Sequence, residues 1–405
     1  MTNPTPPDQQ AQLEQLAAHA AELYALEQTA RAAVVGPLRT QLAAIHRALS
    51  VLWVSQFGRL DAPADPVTLR HVVTRVKEDL AKVDPAVADR LSDYATQALK
   101  MGVQHAADEV EVRVTRPVGG IARAPEPEPA VHDEPASRRP EPRRPRRTTR
   151  VDWPTEDIGG PAPRRPTRGL RRDWPTIDVD PVLDATSSRV IDTLADEVRQ
   201  RLRRSADALD SVAGDTFTDV SNALTESQKA VTVAEQATTY AVNAASTAGI
   251  KAVAAGIPDE DVQLVWIAER DACVHCLAYA GEVVRMHESF PVGLTFGKKP
   301  LVPWPEPLWL SGPPLHPNCR CRLSVWLGHA EGAPGPTLPE VLKREAQRSI
   351  LRGWRMDTEP ESVRLAAAAR LLARGVNSPK SVKEFARRAI RKGRFPEHAF
   401  PESRS

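Results

Sequence analysis

The sequence predicts a mainly α protein with a small α+β cysteine-rich module, its helical domains joined by a disordered Pro/Arg-rich linker. Three observations lead there. Apolar residues recur at helical spacing over most of the chain, a proline- and arginine-rich stretch interrupts them, and all four cysteines fall into two short clusters. Hydrophobic residues make up 41% of the 405, enough to build cores, while aromatics are only 5% and prolines number 37. That balance fits helical modules on proline-rich connections better than one compact enzyme.

Residues 8–114 read as a helical N-terminal domain. Leu13, Leu16, Ala20 and Leu23 mark one apolar face, and Leu38, Leu42, Ile45, Leu49 and Leu52 mark the next. Both have the spacing of amphipathic helices, with a break expected at Gly36-Pro37. A third helix is expected after Asp65-Pro66, where an N-cap residue precedes a first-turn proline, and a fourth after Asp84-Pro85. The alternation Val-Glu-Val-Arg-Val at 110–114 predicts a short strand. His19, His46, His71 and His105 are read as packing or surface residues, because none has a second ligand type at metal spacing.

Between 115 and 183 the composition turns to proline, arginine and acidic residues without apolar periodicity, which predicts a disordered linker. Arg143, Arg144, Arg146 and Arg147 lie in its basic run, of a kind that neutralises DNA phosphates, although charged linkers are commonly just solvated. The linker repeats a word. Arg-Val-Asp-Trp153-Pro-Thr recurs as Arg-Arg-Asp-Trp174-Pro-Thr. A large apolar face seeks burial, so Trp153 and Trp174 are read as a bivalent partner-docking peptide, with packing back on a helical domain or simple duplication as the alternatives.

Helical spacing returns from about residue 184, with Val190, Leu194, Val198 and Leu202 on one face and a break near Gly214. A run rich in alanine, serine and threonine then continues to Ala255. Small residues permit close helix approach, so a packed hairpin or bundle is expected. Tyr94-Ala to Gly102-Val and Tyr240-Ala to Gly249-Ile share a loose pattern, too weak to establish a repeat. Strands are expected at 262–268, at Val283-Val284 after a turn at Gly281, and at 322–327.

All four cysteines sit at the two ends of the stretch from Trp266 to Trp326. One end reads Asp271-Ala-Cys273-Val-His-Cys276, the other Gly-Pro-Pro-Leu-His316-Pro-Asn-Cys319-Arg-Cys321. A Cys-x-x-Cys turn presents two sulfurs to one point, and residues two apart on an extended segment share a face. Four thiolates satisfy tetrahedral zinc, as do three with His316. The expected ligands of a structural zinc are therefore Cys273, Cys276, Cys319 and Cys321. His316 is the alternate, read first as the residue that pins its proline-rich turn. A disulfide pair is the other reading, in oxidising surroundings.

Together the two motifs resemble the signature of the Mu F-like family of tailed-phage minor head proteins, over roughly residues 230–327. The resemblance implies that residues 184–330 form a head morphogenesis domain of helices and a small cysteine-rich sheet. It also implies a structural, non-enzymatic role in the virion: head assembly at the portal vertex in the host cytoplasm, with the phage portal protein and other capsid or scaffold proteins as partners. Packaged phage DNA is a further expected contact. The alternative is a head-maturation protease or nuclease, for which His275, Glu282, His287 and Glu288 are the nominated acid–base groups. Their spacing matches no zincin or deaminase signature, so no catalytic residue is assigned.

Residues 337–395 read as a basic helical C-terminal tail. Apolar stripes run over 341–354 and 361–374, and the helix over 381–392 carries Arg387, Arg388 and Arg391, the second expected DNA contact. A formal charge of +2 gives no whole-molecule argument for nucleic acid. No stretch approaches the roughly 20 apolar residues that span a bilayer, so no membrane partner is expected.

Overall fold

The computed structural model describes residues 7–83, 87–110, 180–257, 262–301, 310–327, 336–356 and 358–396. Its elements, in chain order, are helices α1 (Pro7–Phe57), α2 (Pro66–Ala81), α3 (Val87–Val110), α4 (Asp180–Asp210), α5 (Phe217–Ala223) and α6 (Thr225–Gly256). There follow β1 (Gln263–Ile267), α7 (Cys276–Tyr279), β2 (Val283–Arg285), β3 (Arg322–Trp326), α8 (Leu338–Arg352), α9 (Glu361–Ala373) and α10 (Lys380–Lys392). The mainly helical class with a small sheet is as the sequence predicts. Most of the linker expected at 115–183, with Trp153, Trp174, Arg143, Arg144, Arg146 and Arg147, lies outside the described residues, as do residues 111–114 of the expected first strand. Val110 itself closes α3 instead of opening a strand.

Two helices were expected on either side of Gly36-Pro37, and one continuous helix, α1, runs through it. Proline removes an N–H and leaves the carbonyl four residues back without its donor. That carbonyl belongs to Ala33, and Arg90 of α3 donates to it at 3.3 Å. Gly36 also lacks the Cβ that a proline ring would crowd on the preceding residue in helical conformation. Burial of Val34, Val35 and Leu38 on one face then holds the helix straight through. By contrast α2 starts as expected, with Asp65 accepting from the N–H groups of Val67 at 3.1 Å and Thr68 at 3.0 Å.

Helix α6 is the hub. It is buried on nearly every side, including Thr238, Thr239, Asn243 and Ser246, which suits a helix surrounded by others. The α1–α3 block, expected as a domain of its own, shares its cores with later elements. Leu23, Leu26, Leu91 and Leu99 join Tyr240, Val242 and Ile250 of α6 in one cluster, and Leu42, Leu49 and Trp53 join Val198, Leu209 and Val220 in another. The weak resemblance between the stretches around Gly102 and Gly249 marks a real contact. A Cβ at Gly102 would lie 2.1 Å from the Ser246 carbonyl oxygen, and one at Gly249 would lie 2.2 Å from that of Leu99. Each glycine thus faces the backbone three residues before the other.

The sheet has the order β2-β1-β3, antiparallel throughout, with Leu264 opposite both Val284 and Val325. Alternation along β1 sends Leu264 and Trp266 into the main core, while Val265 and Ile267 face Leu13 and Leu16 of α1 and Leu338 and Leu342 of α8. A buried polar layer closes the join of α1, α3 and β3. The rings of His19 and His105 stack at 3.9 Å, and Glu109 accepts from the Val325 N–H at 3.1 Å. Arg322 donates to the Leu16 carbonyl. Burial, with smaller contributions from nearby His19 and Arg322, holds the His105 pKa down at about 3, and His105 Nε2 lies 2.9 Å from Glu22 Oε2. Among the described residues no helix is long and apolar enough to cross a membrane.

Alanine at Gly102 or Gly249 drives a methyl into a facing backbone that has no flexible side chain to yield. Each substitution is expected to lower the unfolding free energy by about 1–3 kcal/mol, the usual cost of overpacking. Urea denaturation reads the change, and an unshifted midpoint would mean that α3 and α6 do not approach this closely.

Candidate metal centre

The last residue of β1 leads into a turn in which Ala272 N–H donates to the Glu269 carbonyl at 3.0 Å. A helical turn then begins at Cys276, with Leu277 N–H donating to the Cys273 carbonyl at 3.0 Å. This knuckle aims both sulfurs inward, and the Cys276 N–H points at the Cys273 sulfur at 3.5 Å. The second motif forms its own turn, in which Cys319 N–H donates to the His316 carbonyl at 2.9 Å before the chain enters β3. Antiparallel pairing of β3 with β1 delivers the two turns to the same end of the sheet. Trp266 lies beneath, stacked on Tyr279 at 4.7 Å and edge-on to Phe290 at 5.1 Å.

The five expected donors come together in two overlapping groups. His316 Nε2 is 3.2 Å from the sulfurs of both Cys273 and Cys276, and Cys276 Sγ is 3.6 Å from Cys319 Sγ. The ligand atoms form two triads, Cys273–Cys276–His316 and Cys276–Cys319–Cys321, that share Cys276. The imidazole, read from sequence first as a turn-stabilising residue, therefore faces the sulfurs. All four cysteines are free thiols. A 3.6 Å separation is far beyond the roughly 2.05 Å of a disulfide.

Electrostatics divides the sulfurs. Hydrogen bonding from Cys276 pulls the Cys273 thiol down to about 4, against burial and with help from His316. Burial opposes ionisation of Cys319, yet hydrogen bonds from Cys276 and Cys321 take it well below the ordinary thiol range. Cys276 is pushed up by donating to its neighbours, and Cys321 is pushed up chiefly by burial. Burial would lower the His316 pKa, but the Cys273 hydrogen bond and the charges of Cys319 and Cys273 raise it. A divalent cation bound here would displace the protons that these sulfurs otherwise share. Soft sulfur donors with one imidazole suit zinc. Zinc–sulfur bonds of about 2.3 Å and zinc–nitrogen bonds of about 2.0 Å require donor separations of about 3.5–3.8 Å; the Cys276–Cys319 separation of 3.6 Å lies in that range and the two sulfur–His316 separations of 3.2 Å lie below it.

Two contacts that sequence patterning did not reveal complete the site. Arg320, between Cys319 and Cys321, pairs with Asp271 at 2.6 Å and so ties the second motif to the first. The C-terminal segment grips the knuckle: Glu359 accepts from the Val274 N–H at 2.8 Å, and Arg364 donates to the Ala272 carbonyl at 2.7 Å. Arg364 had one legible signal. It occupies a position on the stripe Arg364, Ala367, Ala368, Leu371 that α9 buries. A charged residue on an apolar face asks for a buried partner.

The residues nominated for acid–base chemistry are engaged elsewhere or exposed. His275 Nδ1 pairs with Thr295 Oγ1 at 2.9 Å, Glu282 pairs with Lys343 at 2.9 Å, Glu288 accepts from the Arg285 N–H at 3.1 Å, and His287 is exposed. Arg387, Arg388 and Arg391 are exposed on α10, whose opposite side buries Val382, Ala386 and Ala389.

If Asp271 and Arg320 link the two motifs directly, a double-mutant cycle through Asp271→Ala and Arg320→Ala should return a coupling energy of about 1 kcal/mol or more, measured by chemical denaturation. Additive effects would dissolve the link.

Residues 189–324 match the family model described as Phage Mu protein F like protein. No curated protein and no solved structure matches. The matched stretch runs from α4 to β3 and contains both cysteine motifs, which meet at one end of its sheet. Over residues 189–324, about a third of the chain, the protein is similar to the Phage Mu protein F like family.

Proposed function

We propose that this chain is a structural minor head protein of a tailed phage, associated with the portal vertex and needed for head assembly. The observation that carries the reading is the convergence of the two motifs, inside the matched stretch, on one buried cluster. A structural zinc held by four of Cys273, Cys276, Cys319, Cys321 and His316 would join the two turns at one end of a three-stranded sheet too small to supply much core of its own. Peptide zinc sites contribute on the order of 10 kcal/mol to folding, enough to decide whether such a module persists. Cys276, Cys319 and Cys321 are buried in the same core as Trp266, Tyr279 and Phe290, as suits a structural site.

In this reading the portal protein and other capsid or scaffold proteins are the partners, and the chain passes from host cytoplasm into the virion head. The exposed arginines of α10 offer phosphate contacts to packaged DNA. They are phosphate-directed and carry no sequence preference.

Freshly purified protein should hold about one zinc per chain by elemental analysis. Cys276→Ser, which removes the sulfur common to both triads, should abolish it and lower the melting temperature sharply. Retention of zinc by that variant would refute the ligand assignment. The role itself is tested by co-expression with the portal protein of the same genome: a complex that survives size-exclusion chromatography is expected. Failure to associate, or cleavage of capsid protein or DNA by the purified chain, would contradict it.

A further inference from the structure

The C-terminal helices lie beyond the matched stretch, yet their buried charges are spent on the first cysteine knuckle. Glu359 is 9% exposed and Arg364 fully buried. One Glu359 oxygen takes the Val274 N–H, and the other takes Arg364 Nε at 2.7 Å. Arg364 in turn holds the Ala272 carbonyl. The backbone groups on both sides of Cys273 are therefore fixed by one ion pair from the tail. Further contacts join the same two parts. Ser349 of α8 donates to the Arg270 carbonyl, Arg270 lies over the Trp354 ring at 5.3 Å, and Arg370 donates to the Phe296 carbonyl at 2.9 Å. At Gly281, φ is +74° and a Cβ would lie 2.1 Å from the Pro339 carbonyl oxygen, so α8 packs directly on the turn after the knuckle.

We infer that Glu359 and Arg364 are positioning residues of the metal centre, and that metal uptake and docking of α8–α10 form one linked equilibrium. The inference rests on the zinc reading above. An ion pair this buried costs desolvation, and it is kept stable only by good geometry on both sides. If the knuckle opens without metal, Glu359 and Arg364 lose their backbone partners. By linkage, whatever loosens the tail must weaken the metal by the same factor. Groups that orient ligands from outside the coordination shell commonly contribute about 10–100-fold in metal affinity.

The test uses the full chain and Zn²⁺ alone, with affinity read by chelator competition at a temperature where circular dichroism shows each variant folded. Glu359→Ala should weaken zinc binding about 10–100-fold. Glu359→Gln, which keeps an acceptor for Val274 but not the charge facing Arg364, should fall between it and the unmodified chain. Glu384→Ala, at an exposed position of α10, should match the unmodified chain. Stripping the metal should also speed tryptic cleavage within residues 338–392 several-fold. Unchanged affinity in folded Glu359→Ala, or unchanged cleavage in stripped chain, overturns this inference and leaves the zinc reading intact. An unmodified chain that takes up no zinc overturns both.

Discussion

Four sulfurs and an imidazole, three of the sulfurs buried and Cys273 and His316 half-buried, form the constraint on which the rest of the structure depends. Cys276, Cys319 and Cys321 are each 1% exposed, and thiolates in such surroundings persist only where positive charge meets them. A divalent cation would supply that charge, with His316 Nε2 already 3.2 Å from two of the sulfurs. The sheet puts the donors in place. Strand β1 carries the first turn and β3 the second, and their antiparallel pairing brings motifs more than forty residues apart in sequence to the same end.

A small sheet with a polar end cannot stand in water alone, and the helices answer that need at two levels. Apolar packing covers both of its faces, with α6 and the main core on one side and α1 with α8 on the other. Buried charge then meets what backbone the sheet and knuckle leave unpaired. Glu109 takes the Val325 N–H, and Glu359 with Arg364 serves the residues around Cys273. These hydrogen bonds are strengthened by charge and by low local dielectric, so losing one leaves an uncompensated ion behind. The N-terminal and C-terminal helices thereby pack against the matched region, though the family model does not reach them.

Periodicity and turn chemistry made the helices and strands legible, because both depend on neighbours in sequence. The Asp65 cap, the three strands and the convergence of the cysteine pairs all follow from local pattern. What sequence did not show is tertiary in origin. The expected break at Gly36-Pro37 disappears because Arg90, more than fifty residues away, takes the freed Ala33 carbonyl. Sharing of cores between α1–α3 and α6 depends on the reciprocal approach at Gly102 and Gly249, of which sequence gave only a faint likeness. His316 was undervalued because counting four cysteines filled the site on paper, whereas geometry puts its ring against two of them. Glu359 has no periodic or motif signature, and its role is visible only once the tail is folded onto the knuckle.

Zinc-edge X-ray absorption on the purified chain bears most directly on the central claim, since it counts the atoms around the metal. The account predicts a shell of three or four sulfurs at about 2.3 Å, with at most one nitrogen at about 2.0 Å. A shell of oxygen and nitrogen alone, or a protein that retains no zinc, would contradict it.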